Sequence, residues 1–154
     1  MAATLRFSNP ATVAKPPGYT HVVEIIGPGR IVYIAGQLGL DLDNKLVGTD
    51  DFRAQAFKAF DNLRLALESV GASFKDVVKI NNYLTDMAHI GIFREVRDEF
   101  VHKAAPPAST TVAISQLARP GALFEVEAIA VLPAKAGTAS KAKGAKKASK
   151  KKKR

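Results

Sequence analysis

The sequence predicts a small α+β protein in which one mixed β-sheet of about six strands carries two helices on one face. Two observations predict this class. Apolar, β-branched runs alternate along the chain with two segments whose apolar residues recur every three or four positions, which is typical of strands and amphipathic helices. The chain has 154 residues, 47% of them hydrophobic, which suits one domain with a proper core.

The first half of the chain predicts a hairpin and a helix. Residues 20–26 and 30–40 are apolar and β-branched around Gly27-Pro28-Gly29, so we expect two paired strands. Asp50 and Asp51 are candidate N-caps for the helix, and Gly71 closes it. The apolar stripe of this helix consists of Phe52, Ala56, Phe60, Leu63, Leu67 and Val70.

The second half predicts three strands and another helix. The strands are expected at 77–84, about 110–116 and 123–132. The helix precedes the last two strands, and Arg94, Arg97 and Asp98 lie off its apolar stripe. That stripe consists of Ile92, Phe93, Val96 and Phe100. Because the two helices alternate with strands of one sheet, both are expected on the same face.

Charge divides the chain into two parts. The whole chain carries a formal net charge of +9, but residues 135–154 hold nine lysines, one arginine and no acid. Residues 1–134 therefore contain 13 basic and 14 acidic residues. We predict a near-neutral domain over 1–134 and a disordered basic tail from Lys135 to Arg154, because the tail has no large apolar residue to bury.

Composition excludes several classes of chemistry. The chain has no cysteine, so it has no disulfide, thiol nucleophile or zinc-thiolate site. The three histidines have no metal-ligand spacing, and no glycine-rich phosphate loop is present. We expect no metal and no cofactor. No run approaches a membrane span and the N-terminus has no signal-peptide pattern, so a cytoplasmic protein without membrane contact is the simplest expectation.

The most informative segment is Leu123 to Ala130. Apolar residues alternate there with Glu125 and Glu127, which is the period of a β-strand and places both carboxylates on one face. In a near-neutral domain, two such carboxylates are either solvated charges at the rim of the sheet or chemical groups.

Seven segments in register resemble one known family. They are Pro16-Pro17-Gly18-Tyr19, Ile34-Ala35-Gly36-Gln37-Leu38, Gln55 with Asp61-Asn62-Leu63, Val77-Val78-Lys79, Tyr83-Leu84-Thr85-Asp86-Met87, Pro106-Pro107-Ala108-Ser109-Thr110-Thr111-Val112 and Glu125-Val126-Glu127-Ala128-Ile129-Ala130. In this order, over roughly residues 5–132, they resemble the imine/enamine deaminase family called RidA or YjgF.

The resemblance implies a fold, an assembly and a site. It implies a chorismate-mutase-like fold of the RidA type, in homotrimers whose sheets surround a central barrel and whose sites lie in clefts between subunits. Glu125 matches a glutamate that orients the attacking water, and Tyr19 matches a tyrosine that flanks the pocket and can hydrogen-bond substrate, so both are candidate catalytic residues. The candidate substrate-binding residues are Arg94, Gly36, Ser109 and Thr111. Gly36 and Thr111 match positions whose backbone approaches the ligand. The alternative for Tyr19 is a partly buried packing residue.

The chain departs from this pattern at one position. Where the family has Pro-Ala-Arg, with an arginine that holds the substrate carboxylate, this chain has Pro107-Ala108-Ser109. Serine has no planar cation, so the usual two-pronged ion pair is missing. Arg94, on the second helix, is our candidate replacement from another wall of the cleft. The alternative is an exposed helix arginine that pairs with Asp98. Arg119, in a turn, is expected to face solvent.

Three functions remain as hypotheses. The first is cofactor-independent deamination of a small-molecule enamine or imine to a carbonyl compound and ammonia, with a substrate outside the common 2-imino acids. The second is a small-molecule binding or chaperone-like protein that kept the cleft and lost turnover, which Ser109 favours. The third is non-specific nucleic-acid binding through Lys135–Arg154.

Overall fold

The computed structural model describes residues 3–134, and the predictions for the basic tail lie outside the described residues. The two helices and six strands follow in the order β1 (Thr4–Ser8), β2 (Val22–Ile26), β3 (Gly29–Leu38), α1 (Phe52–Ser69), β4 (Val77–Leu84), α2 (Ile90–Phe100), β5 (Ala108–Ala113) and β6 (Phe124–Pro133). Single 3₁₀ turns precede β4 and α2. Within residues 3–134 no helix is long and apolar enough to cross a membrane.

The predicted class is confirmed: two helices pack on a mixed sheet in a six-strand fold. The main sheet has the order β3-β6-β4-β5, in which β4 and β5 are parallel and the other pairs antiparallel. The strands β1 and β2 pair with each other in a separate antiparallel ribbon. Strand β1 was not predicted: Leu5 and Phe7 alternate there with polar residues, but the pattern spans only five residues.

The predicted hairpin around Gly27-Pro28-Gly29 is wrong. Its two strands exist, but β2 pairs with β1, whereas β3 pairs with β6 from Gly29↔Pro133 to Leu38↔Glu125. A turn sequence between two strands shows that the chain changes direction and does not determine their partners. Here β6, whose alternate residues are fully buried, is the partner that gives β3 a continuous core face.

Helix α1 has a side-chain N-cap, and both helices cover the same core. The Asp51 carboxylate accepts a hydrogen bond from the Ala54 N–H at 3.0 Å, which makes Asp51 the N-cap of α1. Gly71 follows the helix at φ +76°, a conformation that glycine adopts without strain. Three fully buried phenylalanines, Phe60, Phe93 and Phe124, join α1, α2 and β6 at the centre of the core.

Strand β5 begins two residues earlier and ends three residues earlier than predicted. It pairs with β4 from Lys79↔Ala108 to Leu84↔Ala113, and the ladder stops where β4 ends. The earlier start matters for the site because it places Ser109 and Thr111 inside the strand, where their side chains alternate with that of Thr110.

Candidate active site

Glu125 lies on the open face of the sheet, opposite the helices. It pairs with Leu38 of β3 and Tyr83 of β4, and its carboxylate lies against Gly36. Gly36 sits at an irregularity of β3 between Ile34 and Gln37, where one extra residue enters the strand. A Cβ at Gly36 would overlap the Glu125 carboxylate, so the absence of a side chain makes room for that group.

The two carboxylates of β6 have different environments. Glu127 accepts hydrogen bonds from the Asn81 amide at 2.8 Å and from the Tyr83 hydroxyl at 2.9 Å. Glu125 accepts none from residues 3–134, and partial burial, followed by the negative charge of Glu127, raises its pKa above the ordinary value. The Glu127 carboxylate therefore has two hydrogen-bond partners, whereas the Glu125 carboxylate has none within residues 3–134. The raised pKa of Glu125 favours proton exchange near neutral pH more than an ordinary carboxylate would allow.

The other predicted site residues surround a cavity between α2 and β5, with a volume of about 470 Å³. Tyr19 and Pro17 form one wall, Ser109 and Thr111 of β5 form another, and the rest belongs to α2 and the turn before it. The full lining is Pro17, Tyr19, Met87, Ile90, Phe93, Arg94, Arg97, Ser109 and Thr111. Four of the six predicted site residues thus meet in one place.

The segment before β2 closes this cavity because it is attached to the loop before β5. The Thr20 hydroxyl donates to the Pro106 carbonyl at 2.5 Å, and the Thr20 N–H donates to the Pro107 carbonyl at 3.2 Å. These contacts hold Tyr19 over α2. Tyr19 stacks edge-on against His21, with ring centroids 5.3 Å apart.

Arg97 is buried, contrary to the prediction that it lies off the buried face of α2. Its side chain is 7% exposed, because Gly18 passes directly over the guanidinium: a Cβ on Gly18 would lie 2.7 Å from Nη2. Gly18 has φ +92°, which glycine alone adopts readily. The guanidinium also lies 5.7 Å from the centre of the Phe93 ring.

The two arginines of α2 differ in their ion pairing. Arg97 donates from Nε and Nη2 to Asp98 Oδ1 at 2.9 and 2.7 Å, so Asp98 is not the partner of Arg94. Arg94 lines the same cavity with an exposed side chain and makes no ion pair within residues 3–134. Arg119 does not simply face solvent either, since its Nη2 donates to the Asn44 carbonyl at 2.8 Å.

Asn82 is a site residue that the sequence analysis missed. Its fully buried amide Nδ2 lies 3.1 Å from Ser109 Oγ, 3.3 Å from Thr111 Oγ1 and 3.0 Å from the Thr110 carbonyl. The signal for it was present: an asparagine at a core-facing position of a strand needs hydrogen-bond partners. The partners of Nδ2 are the Thr110 carbonyl and the two hydroxyl groups of the cavity wall, and Oδ1 has none within residues 3–134.

Glu125 and the cavity lie on opposite faces of the sheet. Residues of β4 alternate between the core and the open face, with Asn82 buried in the core and Tyr83 on the open side. The contacts of Asn82 place Ser109 and Thr111 on the core side, and the pairing of Tyr83 with Glu125 places Glu125 on the other. One chain therefore carries two half-sites: Glu125 with Gly36, and the α2–β5 cavity.

No group of three or more histidine, aspartate or glutamate residues within 3–134 is arranged to hold a metal ion. The described polar groups of the two half-sites are carboxylates, guanidinium groups, hydroxyls and amides. This set of groups suits acid–base chemistry and the binding of a small polar ligand.

Comparisons with known proteins agree with this fold. The sequence matches the model of the family described as Endoribonuclease L-PSP over residues 11–132, and the chain belongs to this family, which includes the RidA and YjgF proteins. A 2-iminobutanoate/2-iminopropanoate deaminase of Dermatophagoides farinae is 31% identical over 114 residues, which are 74% of this chain and 85% of that protein. A RutC family protein of Pyrococcus abyssi is 32% identical over 75% of this chain and 88% of its own length.

Solved structures show the same relationship. A Rid-family protein of unknown function from Yersinia pestis superposes with a TM-score of 0.73 at 31% identity, over 83% of this chain and 98% of that one. RidA from an Antarctic Psychrobacter superposes with a TM-score of 0.62 at 32% identity, over 77% of this chain and 92% of that one. The predicted family is thereby confirmed.

Proposed function

We propose that this protein hydrolyses a reactive imine, or the imine tautomer of an enamine, to a carbonyl compound and ammonia without a cofactor. The observation that carries the proposal is the unengaged Glu125 carboxylate, whose pKa is raised by burial and by Glu127. The family membership and the deaminase among its relatives support the same reaction class.

In the proposed reaction Glu125 is the proton carrier. It takes a proton from water as the water oxygen bonds to the imine carbon, and the C=N electron pair moves onto nitrogen. Glu125 returns the proton to that nitrogen, which gives a carbinolamine. As the C–N bond breaks, the hydroxyl proton passes to nitrogen, so ammonia leaves and the C=O bond forms. A carboxylate with a raised pKa suits both the uptake and the return of the proton.

The remaining predicted residues are proposed to hold the substrate. Gly36 gives the reacting group access to Glu125, and Tyr19, Arg94, Ser109 and Thr111 bind the rest of the molecule from the α2–β5 cavity. Because these half-sites lie on opposite faces of one sheet, we propose that they meet between copies of the chain in a homotrimer. Large apolar side chains exposed on the Glu125 face, Ile31, Tyr33 and Val112, support an assembly that covers this face.

The test is ammonia release from imines generated in solution by an amino-acid oxidase from a series of apolar amino acids, with alanine and 2-aminobutanoate as the sources of the common 2-imino acids. The native protein is expected to accelerate release above the spontaneous rate, and Glu125→Gln to lower kcat by about 10²–10⁴-fold, the usual contribution of a general acid–base group. Glu24→Gln is the matched control, because Glu24 lies on the β1–β2 ribbon in an ion pair with Arg6. Equal rates with native protein and Glu125→Gln would instead favour the binding or chaperone-like alternative.

A second function is proposed for the tail alone. Ten positive charges and no acid within residues 135–154 favour non-specific binding of nucleic acid, driven by counterion release. Removal of 135–154 is expected to abolish retention of DNA or RNA at low salt and to leave turnover and thermal stability unchanged. Salt-insensitive retention, or loss of turnover on truncation, would contradict a separable tail.

A further inference from the structure

The lining of the α2–β5 cavity contains positively charged side chains and no negatively charged ones. Its polar groups are two guanidinium groups, two aliphatic hydroxyls and the Tyr19 phenol, and no carboxylate is among the lining residues. The remaining wall is apolar and consists of Pro17, Met87, Ile90 and Phe93. A cavity with cationic donors on one side and apolar side chains on the other suits an acid with an apolar body.

Arg97 is the most buried charge in the cavity wall. The Arg97 guanidinium carries hydrogen-bond donors on three nitrogens, and Asp98 Oδ1 accepts hydrogen bonds from only two of them, Nε and Nη2. Nη1 donates no hydrogen bond to any residue in 3–134. Nη1 is not among the fully buried atoms that lack a partner, so it keeps contact with solvent. Because Arg97 lines the cavity and Nη1 is free of Asp98, Nη1 can donate to an incoming anion.

The hydroxyls beside it are available as donors. One hydrogen of Asn82 Nδ2 goes to the Thr110 carbonyl, and the other is shared between Ser109 Oγ and Thr111 Oγ1. Neither hydroxyl donates a hydrogen bond to a residue within 3–134. Each hydroxyl proton remains available to a ligand in the cavity. Serine at position 109 therefore contributes a donor to the cavity wall, although it has no charge.

We propose that this cavity binds the anionic group of the substrate, with Arg97 Nη1 as the anchor, Ser109 and Thr111 as accessory donors and the apolar wall receiving the rest of the molecule. Arg94, which is exposed, attracts anions and contributes less to their affinity. The inference rests on the proposed deamination for the reactive end of the ligand, but anion binding is measured separately from turnover.

The experiment is calorimetric titration of the full chain with phenylacetate, an unreactive acid with an apolar body, and with its neutral analogue phenylacetamide. Phenylacetate is expected to bind more tightly than phenylacetamide. Arg97→Met should weaken phenylacetate binding by about ten- to a hundredfold, the scale of a charge-assisted hydrogen bond. Arg94→Met should weaken it by about fivefold or less, as expected for an exposed charge.

Two variants guard against a merely structural effect. Asp98→Asn removes the charge that competes for Arg97 and should tighten phenylacetate binding by about two- to fivefold, a gain that a damaged fold does not produce. Arg64→Met removes an arginine of α1 that pairs with Asp61 and Glu68, and should leave the affinity unchanged. If Arg97→Met fails to fold, the Asp98→Asn titration decides.

The proposal is overturned if folded Arg97→Met binds phenylacetate as the native protein does, if phenylacetamide binds equally well, or if Asp98→Asn brings no gain. A large loss in Arg94→Met alone would assign the anchor to Arg94 instead. Anion binding that depends on Arg97, together with ammonia release that is indifferent to Glu125→Gln, would refute the deamination and leave this assignment standing.

Discussion

The two faces of the sheet carry complementary and separately incomplete chemistry. The open face presents Glu125, a carboxylate that can move a proton, beside a glycine that leaves space for a reactant. The core face presents a cavity rich in cationic and neutral donors, with no acid in its lining. The first lacks an anchor for a substrate and the second lacks a base.

This difference follows from the geometry of a single β-sheet. A β-sheet is one residue thick, so neighbouring residues of a strand point to opposite sides and cannot act on the same small molecule. Ser109 and Glu125 belong to the same sheet and nevertheless face apart. If both groups act on one substrate, a second copy must supply one of them, and this requirement is directly testable.

The largest expected effect comes from mixing two inactive variants. Glu125→Gln removes the base, and Thr111→Phe fills the cavity. If each site takes one half from each of two copies, reassembling the variants in equal amounts should restore about a quarter of native ammonia release, the fraction of sites that draws two intact halves in a random cyclic assembly. Coexpressed or refolded mixtures are compared with the separate parents, and a rate no higher than their mean would place both halves in one chain.

The next effect concerns the space beside Glu125. Gly36→Ala places a methyl group on the carboxylate position, so the carboxylate must move, and kcat should fall by about a hundredfold, the scale of a misplacement of about 1 Å. Gly91→Ala is the matched control, because Gly91 lies in α2 with nothing within 4 Å of a built Cβ. Binding of phenylacetate, on the other face of the sheet, should be unchanged in both variants, and its loss in Gly36→Ala would contradict the separation of the faces.

The smallest expected effect is a shift in pH dependence. A general base acts in its ionised form, so kcat/KM should rise as Glu125 loses its proton, at a pH above the ordinary range because its pKa is raised. Glu127→Gln removes the nearby negative charge while its amide oxygen can still accept from Asn81 and Tyr83. The pKa of Glu125 should then fall and the acidic limb should move to lower pH.

The measurement is a pH profile of ammonia release for the native protein, Glu127→Gln and the control Glu24→Gln. An acidic limb that stays in place, or that moves to higher pH, would mean that Glu127 does not influence the reacting group.

Much of the fold was predictable because local patterns specify local structure. The alternation of β6 located Glu125 on the solvent side of its strand, and the spacing of apolar residues located both helices. The Asp51 cap was predictable for the same reason. Strand partners were not predictable from the turn at Gly27–Gly29, since pairing depends on which segment completes a buried face.

Arg97 shows the difference between what local sequence patterns predict and what long-range contacts decide. Helical periodicity by itself places Arg97 off the apolar stripe of α2, and so predicts an exposed charge. In the structure Thr20 attaches residues 17–20 to a loop 86 positions later in the sequence, and Gly18 then covers the guanidinium. No local pattern carries that contact, because it depends on two distant segments meeting through backbone carbonyl groups.

By itself, the sequence determined the fold class, the face of the sheet on which Glu125 lies and the absence of cysteine chemistry. Only the tertiary structure decided that Arg97 is buried, that Asn82 links Ser109 and Thr111, and that Glu125 and the cavity lie on opposite sides of the sheet. The physical reason is that periodicity records which side of its own element a residue faces, whereas burial and hydrogen bonding depend on what the rest of the chain brings to that side.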